Sequence, residues 1–500
     1  MRPARSCGRR KLPNRPSPLP DTFYWHDYET FGADPSRDRP VQFAGLRTDQ
    51  DLNVLGEPLV LFARPADDFL PHPQACLVTG ISPQLALERG VPECEFIGRI
   101  LRELALPGTC GVGYNSLRFD DEVTRHTLYR NFHEPYAREW QNGNSRWDLI
   151  DLLRTANALR PEGIEWPLRE DGYPSFRLEE LTAANGISHA SAHDALSDVH
   201  ATIALARLVR ERQPRLYDYV LGHRDKRSVQ SQLDIAGMKP VLHVSGMFGA
   251  QHHNIALIVP LALHPVNRNE VICFDLSADP APLFEMPPQQ LSELLFSRSV
   301  DLPAGVQRPG LKSVHINRCP VLVTAKMADP ATAERLGISG ERCRAHLAAL
   351  RAFRGRDEKA FTGKIQAVVT GRNFAPVTDP DRMLYSGGFF SEHDKQVMAD
   401  VRASSPAELA TASFPFEDSR LPQMLFRYRA RNYPESLSPE ERAQWEEYRF
   451  ARLTEPTGGA GICMEEFQST IEQLLASGTL STTQQQLMRQ LQDYGDSLLA

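Results

Sequence analysis

Asp27 and Glu29 are two carboxylates two residues apart, set in a stretch of aromatic and β-compatible residues. On an extended strand, residues i and i+2 share a face, so the two side chains converge. Converging carboxylates offer the hard oxygen donors that Mg²⁺ selects. Two later places could complete such a site: Asp120, which opens an acidic run, and the pair His193 and Asp198. An imidazole with an ordinary pKa near 6.5 can accept a proton at neutral pH.

Each feature has an ordinary explanation when taken alone. With 63 acids among 500 residues, about eight acid-x-acid pairs arise by chance, and a solvated strand face accounts for one of them. Acids in a first helical turn, as at Asp120, complement the helix dipole. A lone histidine is more often a surface or core residue than a catalytic one. His193 and Asp198 are five apart, about 140° around a continuous helix, so they share a site only if His193 lies at or before the helix start. The small, polar residues 188–192 suit a loop there.

The elements that must position these residues can be read along the chain. Residues 22–30, 41–48 and 58–63 are strand candidates, with a polar turn at 49–51. Ser82-Pro83 starts a helix, and 95–104 is helical with Ile97, Ile100, Leu101 and Leu104 on one side. Residues 109–114 form a short strand that leads to a helix at Asp120. Residues 147–159 are amphipathic, 178–184 form a helix ended by Asn185-Gly186, and 195–210 form a long helix before Pro214. Strands followed by strand–helix alternation predict a mixed α/β sheet with helices packed on it. From 214 to 367 the pattern changes to Pro-punctuated apolar runs at 240–244, 256–263 and 271–276, with a helical stretch at 331–353. From 370 onward the chain is polar and helix-rich, with helices expected at 406–411, 421–430, 439–453 and from 468.

Five hundred residues exceed one hydrophobic core, so two or three domains are expected. Composition is that of a folded globular protein, 41% hydrophobic and 24% charged. No run of about eighteen apolar residues occurs, which excludes a membrane-spanning helix. Residues 1–21 carry six cations before Asp21 and no apolar core, so a disordered basic tail is expected rather than a secretory signal. The eight cysteines never fall within four residues of one another, which argues for reduced thiols in a cytoplasm. The net charge of −7 argues against a uniformly basic DNA-coating protein, and leaves room for a local basic track.

Longer motifs carry a resemblance. Trp25-His26-Asp27-Tyr28-Glu29-Thr30-Phe31-Gly32, Gly113-Tyr114-Asn115, Arg118-Phe119-Asp120-Asp121-Glu122-Val123-Thr124-Arg125 and Pro174-Ser175-Phe176-Arg177-Leu178-Glu179 resemble the bacterial exonuclease I family. That family belongs to the histidine-containing branch of the DEDD 3′–5′ exonucleases. The likeness continues through His243-Val244-Ser245-Gly246-Met247-Phe248-Gly249, His315-Ile316-Asn317-Arg318-Cys319-Pro320 and Phe426-Arg427-Tyr428-Arg429-Ala430-Arg431-Asn432, so it covers about 22–490. It implies a ribonuclease-H-like exonuclease domain at 22–205, a small Src-homology-like β-barrel domain at 214–367 and a helical C-terminal domain at 370–495. It also implies 3′ to 5′ hydrolysis of single-stranded DNA to 5′-mononucleotides with two Mg²⁺ ions, for which Mn²⁺ could substitute, in DNA repair and recombination.

The site roles follow from the resemblance as well. Asp27, Glu29 and Asp198 hold metal directly, Asp120 supports the second ion, and His193 takes the proton of the attacking water. Glu29 and Arg177 lie near the scissile end, while Arg125, Tyr136, Trp140, Arg154 and Lys226 mix cations and aromatics as a single-strand channel requires. Packing or solvated-surface roles remain open for each of these. The 425–433 stretch could stabilise a helical domain, bind DNA, or receive the acidic tail of single-stranded-DNA-binding protein, the partner the family implies. A monomer is expected. Two alternatives remain: an RNA-trimming exonuclease of the same superfamily, and a non-catalytic single-stranded DNA-binding module.

Overall fold

The computed structural model describes residues 19–189, 194–303, 305–371 and 376–499, which fall into two compact units. Residues 1–18 of the expected basic tail lie outside this set. Pro20 and Asp21 do not belong to a loose tail: Pro20 is buried and the Asp21 amide donates to the Gly108 carbonyl at 2.9 Å.

One unit comprises residues 20–148, 186–205 and 375–500. Its centre is a five-stranded mixed sheet in the order β3-β2-β1-β4-β5. The strands are β1 (Thr22–Thr30), β2 (Pro40–Thr48), β3 (Val54–Phe62), β4 (Thr109–Gly113) and β5 (Ser145–Asp148). β1 lies between antiparallel β2 and parallel β4, so nearly all its residues are buried, as a central strand requires. Trp25 sits in its middle, with the indole N–H donating to Thr48 Oγ1 at 2.9 Å. Residues 147–159 do not form one helix. Trp147 and Asp148 end β5, in parallel register with Val112 and Gly113, and the helix begins only at Leu149.

The Glu93–Leu104 helix lays Phe96, Ile97, Ile100 and Leu104 on Tyr24, Tyr28, Phe43 and Leu61 of the sheet. The C-terminal helices supply much of the remaining core. Phe31, Val41 and Phe62 pack with Leu453, Phe467, Ile471, Leu487 and Leu491, and Tyr129 and Phe132 with Leu421, Met424 and Tyr428. Buried ion pairs fasten the same unit. Arg431 contacts Asp68 at 2.8 Å and Asp381 at 2.7 Å, Arg427 reaches Asp381 at 3.1 Å, and Arg452 reaches Asp68 at 3.3 Å. Burial alone would raise the Asp68 carboxyl, but Arg431, Arg452 and Arg39 outweigh it and hold it well below the usual range.

The other described unit covers 149–185 and 206–374. It carries an antiparallel sheet in the order β10-β6-β7-β8-β9, from β6 (Val241–Val244), β7 (Ile255–Leu263), β8 (Glu270–Asp275), β9 (Leu311–His315) and β10 (Val321–Thr324). Alternation along β8 serves two cores. Ile272 and Phe274 meet Leu350, Phe361 and Ile365, while Val271 and Cys273 face Val229, Val241, Ile258 and Leu322. The expected helical stretch 331–353 is two helices, Pro330–Arg335 and Gly340–Arg356, parted where Gly337 turns left-handed at φ +67°.

Replacing Asp68 by alanine would leave Arg431 and Arg452 buried without this counter-charge, an error that costs about 3–5 kcal/mol. Denaturant unfolding followed by circular dichroism should show a loss of that size; a loss below about 1 kcal/mol, the level of a surface pair, would show that these ion pairs do not hold the unit.

Candidate active site

Three elements of the first unit bring the acids together. Asp27 and Glu29 project from β1, opposite Ala44 and Gln42 of β2, and the register slips by one residue just after Glu29. Such an irregularity re-aims side chains at a strand end. Asp198 stands in the first turn of the Ala195–Arg212 helix. Ligand atoms of Asp27, Glu29 and Asp198 all lie within 4.8 Å of one another.

Asp120 begins the Asp120–Arg130 helix, and its Oδ1 accepts from the Tyr28 amide at 3.0 Å, between the two β1 acids. The turn that delivers it is built by Asp148. Its carboxylate accepts from the Asn115 amide at 2.8 Å and the Leu117 amide at 3.1 Å. Asn115 itself is left-handed at φ +60°, a conformation asparagine tolerates better than most residues.

The carboxylates repel one another in a setting poor in water. Burial first, then Asp198, Asp120 and Asp194, push the Glu29 carboxyl up to about 8. Burial and the charges of Asp120, Glu29 and Asp198 raise Asp27 well above its ordinary value. Burial raises Asp120 as well, reinforced by Asp121. The neighbouring Asp121 behaves oppositely, because Arg138 at 2.6 Å and Arg146 at 2.8 Å outweigh its burial. The arginines Arg138 and Arg146 therefore serve Asp121, whereas Asp27 and Glu29 are raised by the acids around them.

Sequence reasoning missed several supporting residues. Gln42 donates to Asp194 Oδ1 at 3.3 Å and accepts from the Ala195 amide at 3.5 Å, which ties the start of the Asp198 helix to β2. Asp194 also caps that helix, accepting from the Ser197 amide at 3.2 Å. His189 Nε2 lies 2.5 Å from Asp198 Oδ1. Only the run of His189, His193, Asp194 and Asp198 hinted at these roles. His193 lies outside the described residues.

The expected DNA contacts separate. Trp140 is 66% exposed and Tyr136 half-buried in the same unit as the acids. Arg125 is not presented to solvent: its guanidinium is buried, paired with Glu122 and Glu139 at 2.7 Å each, and lies over the Tyr136 ring. In the other unit, Arg177 is largely exposed at the N-terminus of the Leu178–Ala184 helix. Arg154 pairs with Asp151 at 2.7 Å, and Lys226 donates to Asn269. Arg427, Arg429 and Arg431 are buried in ion pairs, so the 425–433 stretch stabilises the helical region, the first of its three readings.

A mixed sheet that gathers carboxylates from a central strand and two flanking helices defines this protein as an exonuclease-type nuclease. Residues 24–206 match the exonuclease family model, 224–368 the exonuclease I SH3-like domain and 378–498 the exonuclease I C-terminal domain. The chain is 49% identical over 429 residues to exodeoxyribonuclease I of Escherichia coli K12, covering 86% of this chain and 89% of that protein. Among solved structures, exonuclease I from Methylocaldum szegediense is 51% identical with a TM-score of 0.91, over 96% of this chain and all of that one. The zinc-bound form of an E. coli exonuclease I complex with single-stranded DNA has a TM-score of 0.90 at 44% identity, with the same coverage. The chain belongs to the exonuclease I family.

A carboxyl raised from 4.5 to about 8 is more easily ionised in the unfolded chain than in the folded one, so it destabilises the fold progressively as pH rises between those values. A bound divalent cation removes that penalty. Thermal unfolding should therefore show a larger stabilisation by Mg²⁺ at pH 8 than at pH 6. Asp27→Asn should lose the Mg²⁺ effect while raising stability in chelator; equal stabilisation at both pH values would contradict the electrostatic assignment.

Proposed function

We propose that this protein removes 5′-mononucleotides from the 3′ end of single-stranded DNA by hydrolysis. The observation that carries the reading is the convergence of Asp27, Glu29 and Asp198 within 4.8 Å, in a chain of the exonuclease I family. The donor set fits hard divalent cations: the converging ligands are all carboxylates, and burial with neighbouring acids raises Asp27 and Glu29 above their ordinary values, a penalty a cation would offset. Mg²⁺ suits such oxygens, and Mn²⁺ can replace it.

Bound as a pair, the ions would lower the pKa of the attacking water and offset charge on the leaving 3′-oxygen. The protein's own part is positional and electrostatic. Asp27, Glu29 and Asp198 would hold the ions, and Asp120, fixed by the Tyr28 amide, would support the second. His193 takes the proton of the water. By family resemblance Arg177 offers its exposed guanidinium to a substrate phosphate, and Glu29 contacts substrate as well. Trp140 and Tyr136 stack bases, with Arg154 and Lys226 on the phosphate path. Arg125 serves by holding Glu122, Glu139 and the Tyr136 ring.

The boundaries 22–205, 214–367 and 370–495 are kept as the functional division of the chain. The reading extends to a monomer acting in cytoplasmic DNA repair and recombination, with single-stranded-DNA-binding protein as a partner. Family resemblance supports these last assignments. The buried 425–433 arginines do not supply the partner's surface. Among the described residues no helix is long and apolar enough to cross a membrane.

Purified protein with Mg²⁺ should release mononucleotide first from 3′-labelled single strands and leave duplex and RNA largely intact. Asp27→Ala and Asp198→Ala should abolish release while binding persists; more than a few per cent residual activity in both would exclude them as metal ligands.

His193→Ala should lower the single-turnover rate about 10²–10⁴-fold with affinity in Ca²⁺ nearly unchanged. Wild-type activity should fall as pH drops through the histidine range, and the variant should lose that fall. Near-wild-type turnover would make His193 a structural residue.

A further inference from the structure

Among the described residues of the first unit, every buried arginine but one lies within hydrogen-bonding distance of a carboxylate. The exception is Arg39, which is 6% exposed. It immediately precedes β2, and its carbonyl accepts from the Phe31 amide at 2.9 Å, at the end of β1. Its guanidinium donates no hydrogen bond within the described residues. Nε is enclosed and unpartnered, and the nearest carboxylate oxygen, Glu93 Oε2, is 4.0 Å from Nη1.

Glu93 is already engaged. Arg130 holds it through two donors, at 2.7 and 2.8 Å, and Asn131 adds a third at 2.8 Å. Asp68 lies in the same neighbourhood, but Arg431 and Arg452 occupy it. Burial first, then the charges of Arg130 and Arg431, push the Arg39 guanidinium down to about 10. The linked group of ion pairs holds five arginines, with Arg427 the fifth, against four carboxylates, Asp379 and Asp381 completing the acids. One positive charge is left over, and it falls where the donors have no acceptor.

An arginine does not shed its proton to escape burial. Its donors need an acceptor, and its charge needs a counter-charge, because an uncompensated buried ion costs far more than an unmade neutral hydrogen bond. Water supplies only the first. We infer that Arg39 binds a small monovalent anion of the size and charge of chloride, in the positive surroundings set by Arg130 and Arg431. The side chain keeps 7% of its surface open, so the place is not sealed. Such an ion would fasten the Phe31–Arg39 end of the β1–β2 pair to the helices Asp120–Arg130 and Leu421–Asn432. Its role is structural and separate from the metal-binding acids, so it stands whether or not the proposed reaction does.

The test pairs bromide diffraction with thermal unfolding of the full chain. Crystals soaked in sodium bromide should show anomalous density against the Arg39 guanidinium, and Arg39→Gln should show none there. In solution, chloride or bromide in place of gluconate at equal ionic strength should raise the wild-type unfolding midpoint saturably, by about 2 °C. Arg39→Gln should not respond; should that variant fail to fold, Arg39→Lys, which keeps the charge, should show a weakened halide response. Bromide density confined to exposed side chains would mean an adventitious ion only and would overturn the inference. An ordered water against Arg39 in the bromide crystals, or a wild-type midpoint indifferent to the anion, would overturn it as well.

Discussion

Like charges forced together are the constraint on which this structure turns. Four carboxylates, Asp27, Glu29, Asp120 and Asp198, converge where burial penalises the charges of Asp27, Glu29 and Asp120 and neighbouring acids add repulsion. No fold gains stability from that arrangement, so the surrounding protein must impose it. The central position of β1, the register slip after Glu29 and the Asp148-built turn supply rigid support. Gln42 and Asp194 fix the start of the Asp198 helix against the same sheet. The repulsion stored in the folded protein is what a pair of divalent cations would relieve.

The contrast with nearby charges sharpens the point. Asp121 is adjacent to Asp120 in sequence and equally buried, yet Arg138 and Arg146 neutralise it. Asp68 and Asp381 are likewise matched by Arg431, Arg427 and Arg452. The buried acids Asp68, Asp121 and Asp381 have arginine partners that lower them, whereas Asp27 and Glu29 are raised by burial and by the acids around them. That difference sets the proposed metal-binding carboxylates apart from the structural ones in this molecule.

Much of the frame was legible in the sequence because it obeys local rules. The aromatic and β-compatible residues 22–30 form β1 with the expected ends, and Asn185-Gly186 closes the Leu178–Ala184 helix where the C-terminal signal stands. β5 was hidden because its four residues run directly into the apolar periodicity of the following helix. The roles of Gln42, Asp148 and His189 depend on contacts nine to more than a hundred and fifty residues apart, which no spacing rule reaches. Arg125 shows a related limit. A cation among aromatics has the same signature whether its guanidinium meets only a phosphate or, as here, also pairs with two half-buried glutamates.

The most direct test of the electrostatic account is anomalous diffraction from crystals of the wild type and of Asp27→Asn soaked in Mn²⁺. The account predicts anomalous density against the carboxylates of Asp27, Glu29 and Asp198 in the wild type, and its loss in the variant. Density elsewhere with none at this cluster, or undiminished density in Asp27→Asn, would contradict it.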